Sequence, residues 1–256
     1  VLFVCRFAGK GEQTMYRALY RKWRPQRFED VVGQRAIVTA LKNQITANRV
    51  GHAYLFTGPP GSNKTSAAYA FAQALICPDQ GCMTCDHCRR AARRNHPDIH
   101  FIEPEGAHGY LVDQIREVVA DAHLAPIQAT RKIYIIDRVD LLGTQAANAF
   151  LKTLEEPPDG VILFLGTAKP AALLDTVKSR CRTVPVEAFD YQTVYDEIYA
   201  LTSDEKISSI AAACSEGKLY AAKHIASSPE YVETFSAVLD MLDSVKKSSD
   251  ISAFIA

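Results

Sequence analysis

Hydrophobic positions along this chain follow two rhythms. Over 38–48 they recur at helical spacing, and 53–56 is a short unbroken apolar run that stops at Thr57-Gly58-Pro59-Pro60-Gly61. That order predicts a helix, a buried strand and a glycine-rich loop. Residues 65–76 are alanine-rich and made of strong helix formers, so the loop lies between a strand and a helix N-terminus. Two further apolar β runs, 133–136 ending at Asp137 and 161–165 bounded by Asp159-Gly160 and Gly166-Thr167, are separated by helical stretches. Such alternation, sustained over about 130 residues, predicts an α/β fold with a parallel, doubly wound sheet that holds ligands at the carboxyl ends of its strands. Beyond Phe189 the strand pattern fades, and amphipathic runs at 190–201, 204–214 and 218–226 predict a small helical domain. No internal repeat is visible.

Composition narrows the classes. With 256 residues, 48% apolar and 23% charged, the chain is neither a disordered tail, nor a collagen repeat, nor a membrane protein. Lys plus Arg and Asp plus Glu stand at 29 each, so any grip on nucleic acid must come from local basic patches rather than a global field. Of seven cysteines, four fall within 77–88, a clustering that favours a metal site in a reducing cytoplasm over a disulfide framework. Residues 1–14 carry too few apolar positions for a signal or a span and are expected to be a tail, with Met15 the more natural start.

Three features carry chemistry. Gly58-Pro59-Pro60-Gly61-Ser62-Asn63-Lys64-Thr65 matches the P-loop signature except that Asn63 stands where the second glycine belongs. In such a loop, backbone N–H groups from Gly58 and Gly61 through Ser66 cradle phosphates, Lys64 reaches the β and γ phosphates, and the Thr65 hydroxyl holds Mg²⁺. Asn tolerates left-handed backbone better than most residues, which leaves entry of ATP and Mg²⁺ open. Asp137, at the end of its strand, sits where a P-loop ATPase keeps its metal-side carboxylate. The residue after it is normally the glutamate that polarises the attacking water; here it is Arg138, which cannot take a proton, so hydrolysis should be impaired. Asp140 follows after the strand has ended, and nothing in the pattern aims it at the phosphates. Cys77, Cys82, Cys85 and Cys88, spaced C-x4-C-x2-C-x2-C, suit a closed tetrahedral structural Zn²⁺ site, an iron–sulfur cluster being the rival. A closed site has no position for substrate, which argues against a zinc hydrolase or redox enzyme, and His87 and His96 read as surface residues rather than ligands. Two basic clusters, Arg17, Arg21, Lys22, Arg24 and Arg27, and Arg89, Arg90, Arg93 and Arg94, read first as solvated faces or subunit contacts and second as phosphate contacts.

Four segments together resemble the AAA+ subunits of the bacterial clamp loader of DNA polymerase III, the gamma/tau and delta prime subunits. They are Leu19-Tyr-Arg-Lys-Trp-Arg-Pro with Val32-Gly33-Gln34, the P-loop with its four-cysteine insertion, Asn148-Ala-Phe-Leu-Lys-Thr-Leu-Glu-Glu-Pro-Pro158, and Ser179-Arg180-Cys181. The resemblance implies an AAA+ P-loop domain over 15–187, a helical lid over 188–228 and the start of a shortened collar domain over 229–256. It further implies that Arg24, Pro25, Val32 and Gly33 flank the nucleotide and that Thr167 is the first sensor. Arg180 becomes an arginine finger for the next subunit's ATP, and Tyr220 stands where the second sensor arginine belongs. Asn63, Arg138 and Tyr220 together are similar to delta prime, the stator, which keeps what it offers a neighbour and is weak in its own hydrolysis. The opening Tyr-Arg-Lys-Trp-Arg-Pro is more like the gamma/tau motor, which is the alternative; the three departures make a delta-prime-like stator the expectation. Implied partners are the other subunits of a five-membered ring within the polymerase holoenzyme, the sliding clamp and primer-template DNA, with no membrane.

Overall fold

The computed structural model describes residues 35–247 apart from 107 and 108. The tail at 1–14, the basic cluster at 17–27 and the expected nucleotide neighbours Arg24, Pro25, Val32 and Gly33 lie outside the described residues. From Arg35 the elements run α1 (Arg35–Thr46), β1 (Ala53–Thr57), α2 (Lys64–Ile76), α3 (Asp86–Ala92), β2 (Ile99–Ile102), α4 (Val112–Ala122) and β3 (Lys132–Ile136). A 3₁₀ turn (Val139–Leu141) leads to α5 (Thr144–Glu155), β4 (Val161–Thr167), α6 (Asp175–Lys178) and β5 (Arg182–Pro185). Four helices complete the described residues: α7 (Tyr191–Thr202), α8 (Glu205–Cys214), α9 (Leu219–Ala226) and α10 (Pro229–Lys247).

The five strands form one parallel sheet in the order β2-β3-β4-β1-β5. The three strands the apolar runs predicted are the central ones. They are covered on both faces, which is why they read as unbroken apolar runs. The pattern missed the two edge strands: β5 buries only Val184 and β2 carries His100. On one face Tyr54, Phe56 and Phe164 pack against α2, with Phe71 stacked on Phe164 at a centroid distance of 5.1 Å. On the other, Leu55, Tyr134, Leu163 and Leu165 pack against α4 and α5 through Ile115, Val118, Phe150 and Leu154. Burying apolar surface on both faces fixes the register and so lines up the carboxyl ends of β1, β4 and β3.

The helices after Phe189 have a core of their own, in which Val194, Ile198, Ile210, Leu219, Ala222 and Ile225 are buried. Helix α10, in the stretch expected to open a collar, lays Val232 and Phe235 against that core. Phe189 N–H donates to the Gly217 carbonyl at 3.1 Å, tying the two lobes together.

Candidate nucleotide site and cysteine centre

The loop after β1 is set by two backbone demands. Gly58 has φ +150°, and a Cβ there would lie 1.9 Å from the Val186 carbonyl oxygen, so only glycine fits between the loop and the chain leaving β5. Asn63, the departure from the signature, is left-handed at φ 63° and ψ 24° and serves as the N-cap of α2. Asparagine is among the few non-glycine residues that visit this region readily, so the loop keeps its path. Helix α2 then starts at Lys64, with Ala67 N–H bonded to the Asn63 carbonyl at 2.9 Å.

Lys64 is buried and folds over the loop, donating from Nζ to the Pro59 carbonyl at 2.7 Å and to Ser62 Oγ at 3.5 Å. Burial pushes its ammonium below the ordinary lysine value, and the charges of Asp137 and Asp140 pull it back part of the way. Thr65 Oγ1 donates to Asp137 Oδ1 at 3.5 Å, bringing together the two groups expected on the metal side although β4 separates their strands. Ser62 and Ser66 are both buried at the helix start. A helix N-terminus, one buried ammonium and a hydroxyl–carboxylate pair are a set that fits a magnesium triphosphate.

Between β1 and β3, the last residue of β4 is Thr167, which is 1% exposed. Its Oγ1 donates to Asp140 Oδ1 at 2.6 Å and accepts from Lys169 N–H at 2.9 Å. The position of Asp140 corrects the sequence expectation. Arg138 takes the left-handed conformation (φ 49°, ψ 49°), the chain turns sharply into the 3₁₀ turn, and the Asp140 carboxylate swings back to the sheet end. Periodicity cannot register a single residue entering the left-handed region. Lys218 was also missed: its stem lies over Gly61, where a Cβ would come within 2.9 Å of Lys218 Cγ, while its ammonium pairs with Glu216, so the helical lobe sets this side chain against the phosphate loop. Tyr220, at the expected second-sensor position, is exposed.

Arg180 sits at the other end of the sheet. β5 pairs with β1 in the register Tyr54↔Arg182 and Thr57↔Pro185, so Arg180 precedes the amino end of β5 while the loop follows the carboxyl end of β1. Those three residues of strand alone span about 10 Å. Its guanidinium pairs with Glu155, at the end of α5, and donates to the Thr176 carbonyl at 2.7 Å. Arg180 is therefore directed away from its own chain's phosphate loop.

Between α2 and α3, the Sγ atoms of Cys77, Cys82, Cys85 and Cys88 all lie within 4.8 Å of one another. Cys77 Sγ is 3.6 Å from Cys82 Sγ and 3.7 Å from Cys85 Sγ. Four ligands at the zinc–thiolate bond length of about 2.3 Å sit about 3.8 Å apart at tetrahedral corners, so the set fits such an ion. Backbone N–H groups of Cys82, Cys85 and Cys88 each approach a sulfur at 3.4 Å, the partner pattern that steadies thiolates. Hydrogen bonds from Thr84, chiefly its hydroxyl, hold the Cys82 thiol down at about 6. His96, expected at the surface, is instead 4% exposed; its Nε2 lies 2.9 Å from His87 Nδ1, and its Nδ1 accepts from Asp98 N–H. Of the arginines that follow, Arg94 is turned onto the rings of Tyr69 and Phe101, 5.0 and 5.3 Å from their centroids, leaving the basic face less continuous than the sequence suggests.

Residues 33–190 match the family model described as DNA polymerase III, delta subunit. The chain belongs to this family of DNA polymerase III clamp-loader subunits. It is 40% identical over 196 residues to DNA polymerase III subunit tau of Bacillus subtilis, covering 75% of this chain and 34% of that protein. To subunit tau of Escherichia coli it is 36% identical over 257 residues, 94% of this chain and 40% of the relative. The chain thus spans between a third and two fifths of these relatives. The RuvB Holliday junction branch migration motor of Thermotoga maritima has the same fold, with a TM-score of 0.58 at 17% identity over 88% of this chain and 67% of that one. The clamp-loader fold class read from the sequence, a parallel AAA+ P-loop sheet carrying a four-cysteine cluster, is the one observed. Among the described residues no helix is long and apolar enough to cross a membrane.

Proposed function

We propose that this chain is a nucleotide-binding subunit of a DNA polymerase III clamp loader, of gamma/tau type, that lends Arg180 to the ATP site of a neighbouring subunit. The observation that carries the reading is the convergence of Lys64, Thr65, Asp137 and Thr167 at one sheet end behind a loop whose Asn63 keeps the left-handed turn. Phosphate cradling depends on backbone N–H groups, so it survives the change from glycine to asparagine. Magnesium, bound through Thr65 and Asp137, supplies charge neutralisation at the phosphates. The tau names of the relatives favour the gamma/tau side. The delta-prime-like features, Arg138 and Tyr220, bear on turnover rather than on binding, and own hydrolysis is slow.

Arg180 suits a role in trans because it lies at the sheet end remote from its own phosphates and its planar guanidinium forks onto phosphate oxygens. The four cysteines hold a structural Zn²⁺ that shapes the segment between α2 and α3, in the reducing cytoplasm. Partners in this reading are the other loader subunits, the sliding clamp and primer-template DNA. The test is a reconstituted loader carrying Arg180→Ala. DNA-stimulated ATP hydrolysis at the adjacent site should fall roughly a thousandfold while nucleotide binding to this chain is retained. An unchanged rate would refute the role.

A further inference from the structure

We propose that Asp140 supplies the carboxylate that takes the proton from the water attacking the γ-phosphate, in place of the glutamate that this chain lacks at position 138. The proposal rests on the nucleotide-binding reading above and names the residue through which the remaining hydrolysis runs.

The backbone around Asp140 is fixed from several sides. Arg138 is held at φ 49°, a conformation that non-glycine residues adopt only when their surroundings impose it. The 3₁₀ turn that follows is closed by Leu141 N–H to the Arg138 carbonyl at 2.9 Å and Leu142 N–H to the Val139 carbonyl at 3.1 Å. Val139 is fully buried and pins the turn from beneath. Tyr110 clamps both ends: its Oη donates to the Asp137 carbonyl at 2.5 Å, and its N–H donates to the Leu141 carbonyl at 3.3 Å.

The side chain is aimed with equal care. Thr167 spends its one hydroxyl proton on Asp140 Oδ1 and accepts from Lys169 N–H, so it cannot swing away. Among the described residues no other hydrogen bond engages Asp140, which leaves Oδ2 for a water. Thr167 ends the strand between the one that carries the phosphate loop and the one that carries Asp137, so Asp140 faces the same mouth as both. Arg138, by contrast, is exposed.

In the step itself the water oxygen bonds to the γ-phosphorus, the bond from that phosphorus to the β–γ bridging oxygen breaks, and the electron pair leaves on ADP. The water proton passes to Asp140 Oδ2 and is later released to solvent with inorganic phosphate. No further reactant is needed.

The full chain, in excess over Mg·ATP labelled in the γ-phosphate, tests this by single-turnover cleavage, with a fluorescent ATP analogue reporting binding. Asp140→Asn keeps an acceptor for Thr167 but removes the base, and should slow cleavage on the order of a hundredfold with binding retained. Arg138→Glu added to that variant should restore cleavage. Asp140→Asn that cleaves as fast as the wild type overturns the proposal. So does a wild type that binds ATP yet cleaves it only after Arg138→Glu. A slow Asp140→Asn that Arg138→Glu fails to rescue makes the residue a prop for Thr167 and overturns it too. A wild type that binds no nucleotide removes the functional reading underneath, and the proposal falls with it.

Discussion

Asp98 offers the sharpest test of how the sheet edge is held. It is fully buried, and its carboxylate collects three backbone N–H groups from the loop before β3: Ile127 on Oδ1 at 2.6 Å, and Gln128 and Ala129 on Oδ2 at 2.8 Å each. Its carbonyl also accepts Ile133 N–H at 2.8 Å, fixing β3 beside β2. Burial pushes its pKa up, but the three N–H donors outweigh burial and leave it below the ordinary carboxylate value. In Asp98→Asn the best rotamer keeps one oxygen on Gln128 and Ala129 and turns an NH₂ toward Ile127. One buried donor then faces another donor, at about 1–3 kcal/mol, and two bonds lose their charge assistance at about 0.5–1 kcal/mol each. The expected destabilisation is about 3 kcal/mol, or about 10 °C in melting temperature for a chain of this size. Because the folded pKa is depressed, the carboxylate's contribution is complete at neutral pH and fades as pH falls below about 4 toward the folded pKa. Urea unfolding followed by circular dichroism at pH 7 and at successively lower pH measures both effects. A variant as stable as the wild type at pH 7, or a gap that fails to narrow in acid, would refute the reasoning.

Two further outcomes follow from the site. Cys85→Ser removes one corner of the cysteine centre, so metal analysis of the purified chain should fall from one bound zinc to substoichiometric metal with a lower melting temperature; brown, iron-containing protein would reject zinc. Lys218→Ala removes the side chain whose stem lies over Gly61 and should weaken Mg·ATP binding roughly tenfold in a fluorescent titration, whereas unchanged affinity would show that the side chain serves only its partner Glu216.

Much of the fold was legible because its centre obeys one rule. Strands β1, β3 and β4 are buried on both faces and spell themselves as apolar runs, and α2, buried along nearly its whole length, is an apolar run of helix formers. The phosphate loop, Asp137 and the four cysteines were legible because spacing along the chain fixes their chemistry. Edge strand β5 was not: with Arg182 and Thr183 exposed, nothing apolar alternates over enough residues to announce it. Asp140 and Lys218 were illegible for another reason. The first reaches Thr167 only because Arg138 turns left-handed, and the second reaches Gly61 only because the helical lobe folds back through Phe189 and Gly217. Both are contacts between residues far apart in sequence, and neither leaves a period behind.

The two departures at positions 63 and 138 occupy left-handed backbone, yet they differ in kind. At 63 the signature asks for a conformation, and asparagine adopts it at φ 63° and ψ 24°, so the loop keeps its turn although the residue is not glycine. At 138 the enzyme class asks for a side-chain carboxylate, and no backbone angle makes a guanidinium accept a proton. A substitution at a position whose work is done by the main chain therefore leaves binding standing, while one at a position whose work is done by the side chain strikes turnover alone. In the proposed reading, binding and hydrolysis come apart at this site for that reason. Any carboxylate that restores turnover must reach the same water from a different position in the chain, and the residue that the turn after Arg138 carries back to Thr167 is Asp140.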